Sequence, residues 1–330
     1  MPDKTTPDLN FSPKGLYIGG EWQESIDSGT FETINPSNRE KLGDVPEAAE
    51  KDVDRAVAAA KTAFVEWRRV PIAERARCLE KLAQRIDDHT EELALLDSVD
   101  AGNALSGMRG DMEWTAKTLR YFAGLITEIK GETSSHGPRH LNVTRRQPYG
   151  VVAKINAFNH PFRFCAEKAA APLAAGNCVV IKGSEQAPLS SLKLGELCDG
   201  IFPKGVVNII TGGAKAGAAL VSHPDVGRVG FVGSVPTGRT IAKAAASGSL
   251  RICKSSVSSN SGLPVVNSSA RNTTANSSVI ELLVCSCMTS VHFAALRPVS
   301  SRSSRFAAAS GVSFMGAPPI GSSQEYCPRV

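Results

Sequence analysis

Between residues 151 and 246 short apolar runs alternate with amphipathic stretches, and this alternation restricts the fold more than any other feature of the sequence. Val151-Val152-Ala153-Lys154-Ile155 precedes an amphipathic run from Pro161 to Leu173. Cys178–Lys182 precedes Pro188–Leu197, Val206–Ile210 precedes Ala214–Val221, and Val229–Val232 precedes Gly238–Ala246. Apolar strands without polar alternation are buried on both faces, so the pattern predicts an α/β fold: a parallel sheet with helices on both sides. Ligands of such sheets bind beyond the carboxyl ends of the strands. That rule singles out Asn159, Lys182, Gly212 and Gly233, each just past a strand.

The preceding residues read as a small β region followed by helices. Leu16–Trp22 places apolar residues around Gly19-Gly20, which predicts a short hairpin. Phe31–Ile34 alternates and stops at Asn35-Pro36, as a strand does. Apolar residues recur at helical spacing in Asp52–Arg68, in Ile72–Val99 and in Met112–Ile129. Gly131 and Gly137-Pro138 then break the period, and Leu141–Gln147 reads as a strand exposed on both faces.

Three strand ends carry candidate chemistry. Phe231-Val232-Gly233-Ser234 turns into a helix expected to open at Gly238, and a helix N-terminus offers N–H groups and a favourable dipole to phosphate. Lys182 and Glu185, three residues apart, could hold the two hydroxyls of a ribose; the carboxylate would favour a free 2′-OH over a 2′-phosphate. The plain alternative is a surface ion pair. Asn159 stands just ahead of Pro161, where it could cap a helix or donate its amide N–H to an oxyanion. His160 has no acid–base partner beside it in sequence.

Taken together and in order, these stretches resemble the N-terminal, cofactor-binding half of the aldehyde dehydrogenase superfamily. The resemblance runs from about Leu16 to Leu250 through Tyr17-Ile18-Gly19-Gly20-Glu21-Trp22, Thr33–Pro36, Ala174–Lys182, Pro203–Gly212 and Gly230–Ser234. It implies a Rossmann-like NAD(P)-binding domain over 1–250 and a small-molecule aldehyde as substrate. It also implies roles by position: Lys182 and Glu185 for the adenosine ribose, Ser234 for the pyrophosphate, Gly212, Gly233 and Gly238 in the cofactor turns, and Asn159 as the oxyanion amide. NAD is expected, with NADP as the alternative. The 131–150 segment resembles the family's oligomerisation hairpin, which implies a homodimer or tetramer. Two positions depart from the family pattern: Ala157-Phe158 replaces Pro-Trp, and Gly183 replaces a Pro, which predicts a less rigid ribose loop.

Composition changes abruptly after Leu250. Residues 251–330 hold 19 Ser, against 15 in the preceding 250, together with seven basic residues and two acidic ones. The first 250 residues balance thirty basic against thirty acidic side chains, so the net charge of +5 belongs to the tail. A neutral body argues against nucleic-acid binding. With neither a long apolar stretch nor an apolar N-terminal run, no membrane span, no secretory leader and a cytoplasmic location are expected. The Ser-rich tail has no sustained period and is expected to lack a packed core.

The family's chemistry uses a cysteine thiolate and a glutamate carried by Gly-Gln-x-Cys and Glu-Leu-Gly-Gly, and the tail contains neither. Glu281-Leu282-Leu283-Val284 has no glycine, and Cys285-Ser286-Cys287 lacks the preceding Gly-Gln. Cys165 and Cys178 fall in expected core elements and are read as inert thiols. No metal site is expected, since His292 alone joins the tail's cysteines as a ligand. The favoured reading is an oxidoreductase by descent without its catalytic residues, possessing a tail that arises from a changed reading frame or splice junction near residue 250. The alternatives are an enzyme with an unorthodox tail nucleophile and a non-catalytic NAD-binding or interaction module that pairs through 141–147.

Overall fold

The computed structural model describes Pro7, Leu9 and residues 11–135, 141–246, 251–254 and 288–293. In chain order, β1 (Leu16–Ile18) and β2 (Glu21–Gln23) form the expected hairpin, with Gly19 and Gly20 at φ of +66° and +78°. Two consecutive residues with positive φ suit a tight hairpin turn and favour glycine. β3 (Thr30–Ile34) pairs with β4 (Lys41–Pro46), a strand too polar to stand out in the sequence. α1 (Glu50–Trp67), α2 (Ile72–Asp88), α3 (Thr90–Ala101) and α4 (Leu105–Leu125) follow. The continuous Ile72–Val99 helix expected from periodicity is thus two helices. They part at His89, whose φ of −113° and ψ of 18° leave the helical region while the apolar spacing carries on across the break.

β5 (Thr133–Ser135) and β6 (Leu141–Pro148) lead into the alternating region: β7 (Val151–Ile155), α5 (Pro161–Ala174), β8 (Cys178–Lys182), α6 (Leu189–Cys198), β9 (Val207–Ile210), α7 (Ala214–Ser222), β10 (Val226–Phe231) and α8 (Val235–Ala246). β11 (Arg251–Lys254) and β12 (Met288–Phe293) complete the set. The bounds of β7 and β8 coincide with their apolar runs. Every residue of β7, β8 and β9 is buried, as a sheet covered on both faces requires.

The main sheet has the order β11-β10-β7-β8-β9-β1-β2, parallel from β11 through β9, with β1 antiparallel to β9. α1 and α7 pack on one face, α5 and α6 on the other, and α2, α3 and α4 add a further layer outside α5 and α6. Among the described residues the main core cluster runs from Leu16 to Ile241. The expected α/β architecture is therefore present. β11 pairs in parallel with β10 along Arg228–Phe231, so the boundary expected after Leu250 falls immediately before a strand of this same sheet. The rest of the tail lies outside the described residues. Among the described residues no helix is long and apolar enough to cross a membrane.

Candidate functional site

One row of paired residues organises the site. Phe231 on β10 pairs with Ile155 on β7, Ile155 with Lys182 on β8, and Lys182 with Ile210 on β9. All four strands run the same way, so their following loops leave the sheet side by side along one edge. The order reverses here: β7, β8 and β9 progress in one direction, and β10 returns to the other side of β7. A crevice outside the carboxyl ends at such a reversal is where open α/β sheets bind their ligands. Asn159, Lys182, Glu185, Gly212, Gly233 and Ser234 all stand on this edge.

At the end of β8, Lys182 is held nearly out of solvent, with 6% of its side chain exposed, whereas half of Glu185 is exposed. Lys182 Nζ donates to Glu185 Oε2 at 3.2 Å and to the carbonyl of Gly183 at 3.2 Å. The pair thus has a buried cationic side and a carboxylate side open to solvent. The lysine stem lies beside α7: a Cβ built on Gly217 would stand 3.7 Å from Lys182 Cδ. The loop is more constrained than a glycine suggests. A Cβ on Gly183 would come within 2.5 Å of Ser191 Oγ on α6, so Gly183 is a close-packing glycine, contrary to the expected looseness. Gln186 N–H on Ser184 Oγ (3.3 Å) tightens the turn further.

The β10–α8 turn differs from expectation in its detail. α8 opens at Val235, three residues before Gly238. Ser234 therefore occupies the capping position: its hydroxyl accepts from Thr237 N–H at 3.4 Å and bonds the Thr237 hydroxyl at 2.9 Å. Gly238 N–H already donates to Ser234 O at 3.0 Å, so it is not a free donor for phosphate, and Gly238 belongs to the helix rather than to its mouth. Pro236 hid this start, although proline in a first helical turn costs nothing. Gly233 has a steric reason: a Cβ there would lie 2.6 Å from the Phe231 ring. Gly212, at the end of β9, has a φ of +134° and packs on Ala48 and Ala216, a conformation that side chains disfavour.

Asn159 lies exposed on the loop from β7 to α5, next to Phe158, also exposed. It is not the cap of α5; that position falls to His160. The loop is instead tethered from the α3–α4 layer. Asn103 Nδ2 donates to Asn159 O at 3.0 Å, and Phe162 N–H donates to Asp97 Oδ2 at 3.2 Å. His160, which has no partner nearby in sequence, meets Asp111 through Nδ1, and Asp111 also accepts from Arg163 at 3.0 Å. Contacts spanning some fifty residues leave no local pattern. One signal did exist: Asp97 and Asp100 follow Leu93 and Leu96 at four-residue spacing, which places two acids on the buried face of α3.

Burial dominates the ionisation of those two acids. Asp97 is pushed up to about 7 by desolvation, against its bond from Phe162 N–H, and Asp100 also to about 7 for the same reason. Burial likewise raises the thiols of Cys165, Cys178 and Cys198 to about 12 and that of Cys78 in the same direction. A thiol held protonated is a poor nucleophile, so none of these four is suited to attack a carbonyl. Cys285 and Cys287 lie outside the described residues. Among the described residues, no group of three acids, histidines or cysteines converges as a metal site does.

The family model "Aldehyde dehydrogenase family" matches residues 22–288. The chain belongs to the aldehyde dehydrogenase family. An aldehyde dehydrogenase of Talaromyces stipitatus is 44% identical over 236 residues, which is 70% of this chain and 46% of that protein. Human mitochondrial 10-formyltetrahydrofolate dehydrogenase is 40% identical over 248 residues, 72% of this chain and 27% of that one. Aldehyde dehydrogenase from Bacillus cereus, whose complex with NAD+ has been solved, is 39% identical with a TM-score of 0.71, covering 74% of this chain and 51% of the other. Betaine aldehyde dehydrogenase from Staphylococcus aureus, also solved with NAD+, is 34% identical with a TM-score of 0.72, over 74% and 50%. This aldehyde dehydrogenase chain spans about half the length of the curated relatives it matches first.

Proposed function

We propose that this chain is the NAD-binding portion of an NAD(P)-dependent aldehyde dehydrogenase, and that these 330 residues do not complete aldehyde oxidation. The observation that carries the reading is the Lys182–Glu185 pair at the carboxyl edge of the sheet, a buried cation beside an open carboxylate. The turns around this pair are held in place by close internal packing. Gly183, Gly212 and Gly233 keep the strand ends free of side chains that would collide with Ser191, Ala48 and Phe231.

In this reading Lys182 and Glu185 hold the adenosine ribose, the β10–α8 turn with Gly233 and Ser234 receives the pyrophosphate, and Gly212 lets the β9–α7 turn approach closely. Gly238 supports that turn from within the helix. NAD supplies a hydride acceptor when bound. Asn159 supplies an exposed amide donor near the edge where a carbonyl oxygen would be polarised. Glu185 repels a 2′-phosphate, so NAD is preferred to NADP.

The limits of the chemistry lie in residue types. The described thiols other than Cys253 are held protonated, and the sequence after Lys254 contains neither Glu-Leu-Gly-Gly nor Gly-Gln-x-Cys. The domain division that follows is a dinucleotide-binding body whose sheet continues past Leu250 through β11 to Lys254, an oligomerisation ribbon at 131–150, and a Ser-rich segment after β11.

Calorimetric titration of the purified chain tests the reading. NAD binds, Glu185→Gln and Lys182→Met each weaken it by about tenfold, equivalent to about 1.4 kcal/mol, and NADP binds at least as weakly as the variants bind NAD. An NADH-forming assay with propanal stays at the no-enzyme rate. No heat with NAD rejects the cradle; turnover with an acyl adduct on a late cysteine rejects the loss of chemistry.

A further inference from the structure

Arg75, in the first turn of α2, is buried without a counter-charge. It is 8% exposed, and its guanidinium meets neither an acceptor nor a carboxylate among the described residues. Nε is sealed from solvent with its N–H unpaired. Burial alone acts on its ionisation, pushing the pKa down with no charged neighbour opposing it. The backbone adds nothing favourable, since a cation in a first helical turn meets the positive end of the dipole. Buried charges are ordinarily paired, and an unsatisfied buried donor needs an explanation.

The surroundings supply positive charge and no anion. The guanidinium lies against the turn that leads into β8, where Gly176 has a φ of +85°. A Cβ on Gly176 would stand 2.7 Å from Nη1 of Arg75 and 3.7 Å from the Cα of Arg68. The carboxyl ends of α1 and α5 therefore meet beside Arg75, but backbone N–H groups already use their carbonyls. Arg69 and Val70 take those of Glu66 and Trp67, while Asn177 and Gly176 take those of Pro172 and Leu173. Trp67 Nε1 is a second buried donor without an acceptor. The acids nearest in sequence are spent on exposed arginines, Glu66 on Arg69 and Glu74 on Arg77. Arg68 is exposed and lies over the Phe64 ring at 5.5 Å.

A guanidinium presents five N–H donors in a rigid fork that fits a carboxylate or a phosphate bidentately. We propose that Arg75 is the floor of an oxyanion site at the Gly176 turn, which takes a small diffusible ligand through its carboxylate or phosphate group, with Arg68 adding positive charge at the rim. The turn stands at the amino end of β8, whereas Lys182 stands at its carboxyl end, so the site is separate from the cofactor edge. A ligand that binds only the folded chain stabilises it, and the body is then more stable when the anion is present.

Inorganic phosphate and acetate, each titrated into the full chain at constant ionic strength, are the probes. The Arg75 Nε–H signal in the NMR spectrum, identified by its absence from Arg75→Lys, shifts and saturates with either anion. At the parent's urea midpoint, phosphate at about ten times its Kd raises the folded-to-unfolded ratio by about tenfold. Arg75→Met loses that gain, and Arg75→Lys, which keeps the charge without the fork, loses most of it. Without phosphate, Arg75→Met is at least as stable as the parent, because no unpaired ion remains to be desolvated. An Nε–H signal that neither anion moves overturns the proposal, and this reading stands on the parent alone should Arg75→Met fail to fold. A signal that moves only as protein concentration rises also overturns it, since the occupant would then be a carboxylate of a second copy. So does a phosphate response that Arg75→Met retains in full, which would place the anion elsewhere, as at the mouth of α8.

Discussion

The helices that follow the parallel strands begin in two different ways. α5 and α6 start against buried carboxylates: Phe162 N–H meets Asp97, while Leu189 N–H and the Thr33 hydroxyl meet Asp100 at 2.8 and 2.7 Å. α7 and α8 start with Gly213, without a side-chain cap, and with the hydroxyl of Ser234. The first pair of helix mouths is filled by the protein's own buried carboxyl groups and sealed under the α3–α4 layer. The second pair leaves its positive ends to whatever anion arrives. The same local physics thus closes one pair of helix ends and leaves the other open in the way the proposed cradle needs, and whether a carboxyl group is supplied decides which.

The largest expected consequence of this difference is a dependence of stability on pH. Asp97 and Asp100 stay protonated in the folded chain up to about 7, whereas unfolded aspartates lose their protons near 4. Between these values the folded state binds more protons, so stability falls as pH rises from 4 towards 7 and levels off above it. Urea unfolding at pH 5 and pH 8 should differ by a few kcal/mol, with the lower pH the more stable; that order of magnitude follows from the size of the two shifts. Asp97→Asn with Asp100→Asn should flatten the profile. A profile rising with pH in the parent would mean that the helix mouths hold these acids as anions.

Truncating one of these acids comes next. Asp100→Ala orphans Leu189 N–H and the Thr33 hydroxyl, both away from water, and should cost about 2 kcal/mol at pH 7, read from the urea midpoint at unchanged slope. NAD affinity of the folded fraction should not move, because nothing of the cradle touches Asp100. Weakened NAD binding would join the two sets of helix mouths that are separated above.

How much of this was open to inspection in the sequence follows from the range of the interactions. β7 and β8 were legible to the residue because each is a mainly apolar run between polar or glycine stops, and the placing of Lys182 at the β8 stop and of Ser234 just past β10 could be read from the same pattern. The α8 start at Val235 was obscured by Pro236, and the His89 break by apolar spacing that continues across it. Asp111 as the partner of His160, Asn103 as the tether of Asn159, and β12 as the partner of β6 depend on contacts 49, 56 and about 145 residues apart. A single sequence contains no short-range trace of such pairs.

A smaller effect is expected at the ribose loop. Gly183→Ala pushes a methyl group against Ser191, an overpacking cost of about 1–2 kcal/mol. It should also weaken NAD several-fold, since the loop that carries Lys182 and Glu185 must shift to relieve the clash. Ser191→Ala in the same chain removes the nearest atom of the clash, Oγ, and should restore part of both losses. Full stability with Ala at 183 alone would show that the loop is as loose as its glycine suggests.

The smallest effect separates capping from ligand binding at α8. Ser234→Ala removes the hydroxyl that meets Thr237 and should cost about 1 kcal/mol, the ordinary value of a cap. Ser234→Asp restores a cap, and its negative charge at a helix N-terminus should leave stability at or above the parent's. Yet the same carboxylate would face the pyrophosphate and lower NAD affinity by more than Ser234→Ala does. Stability and affinity then move in opposite directions in one variant, which no purely structural role for Ser234 produces. If Ser234→Asp binds NAD as the parent does, the open mouth of α8 is only another capped helix, and the contrast with α5 and α6 disappears.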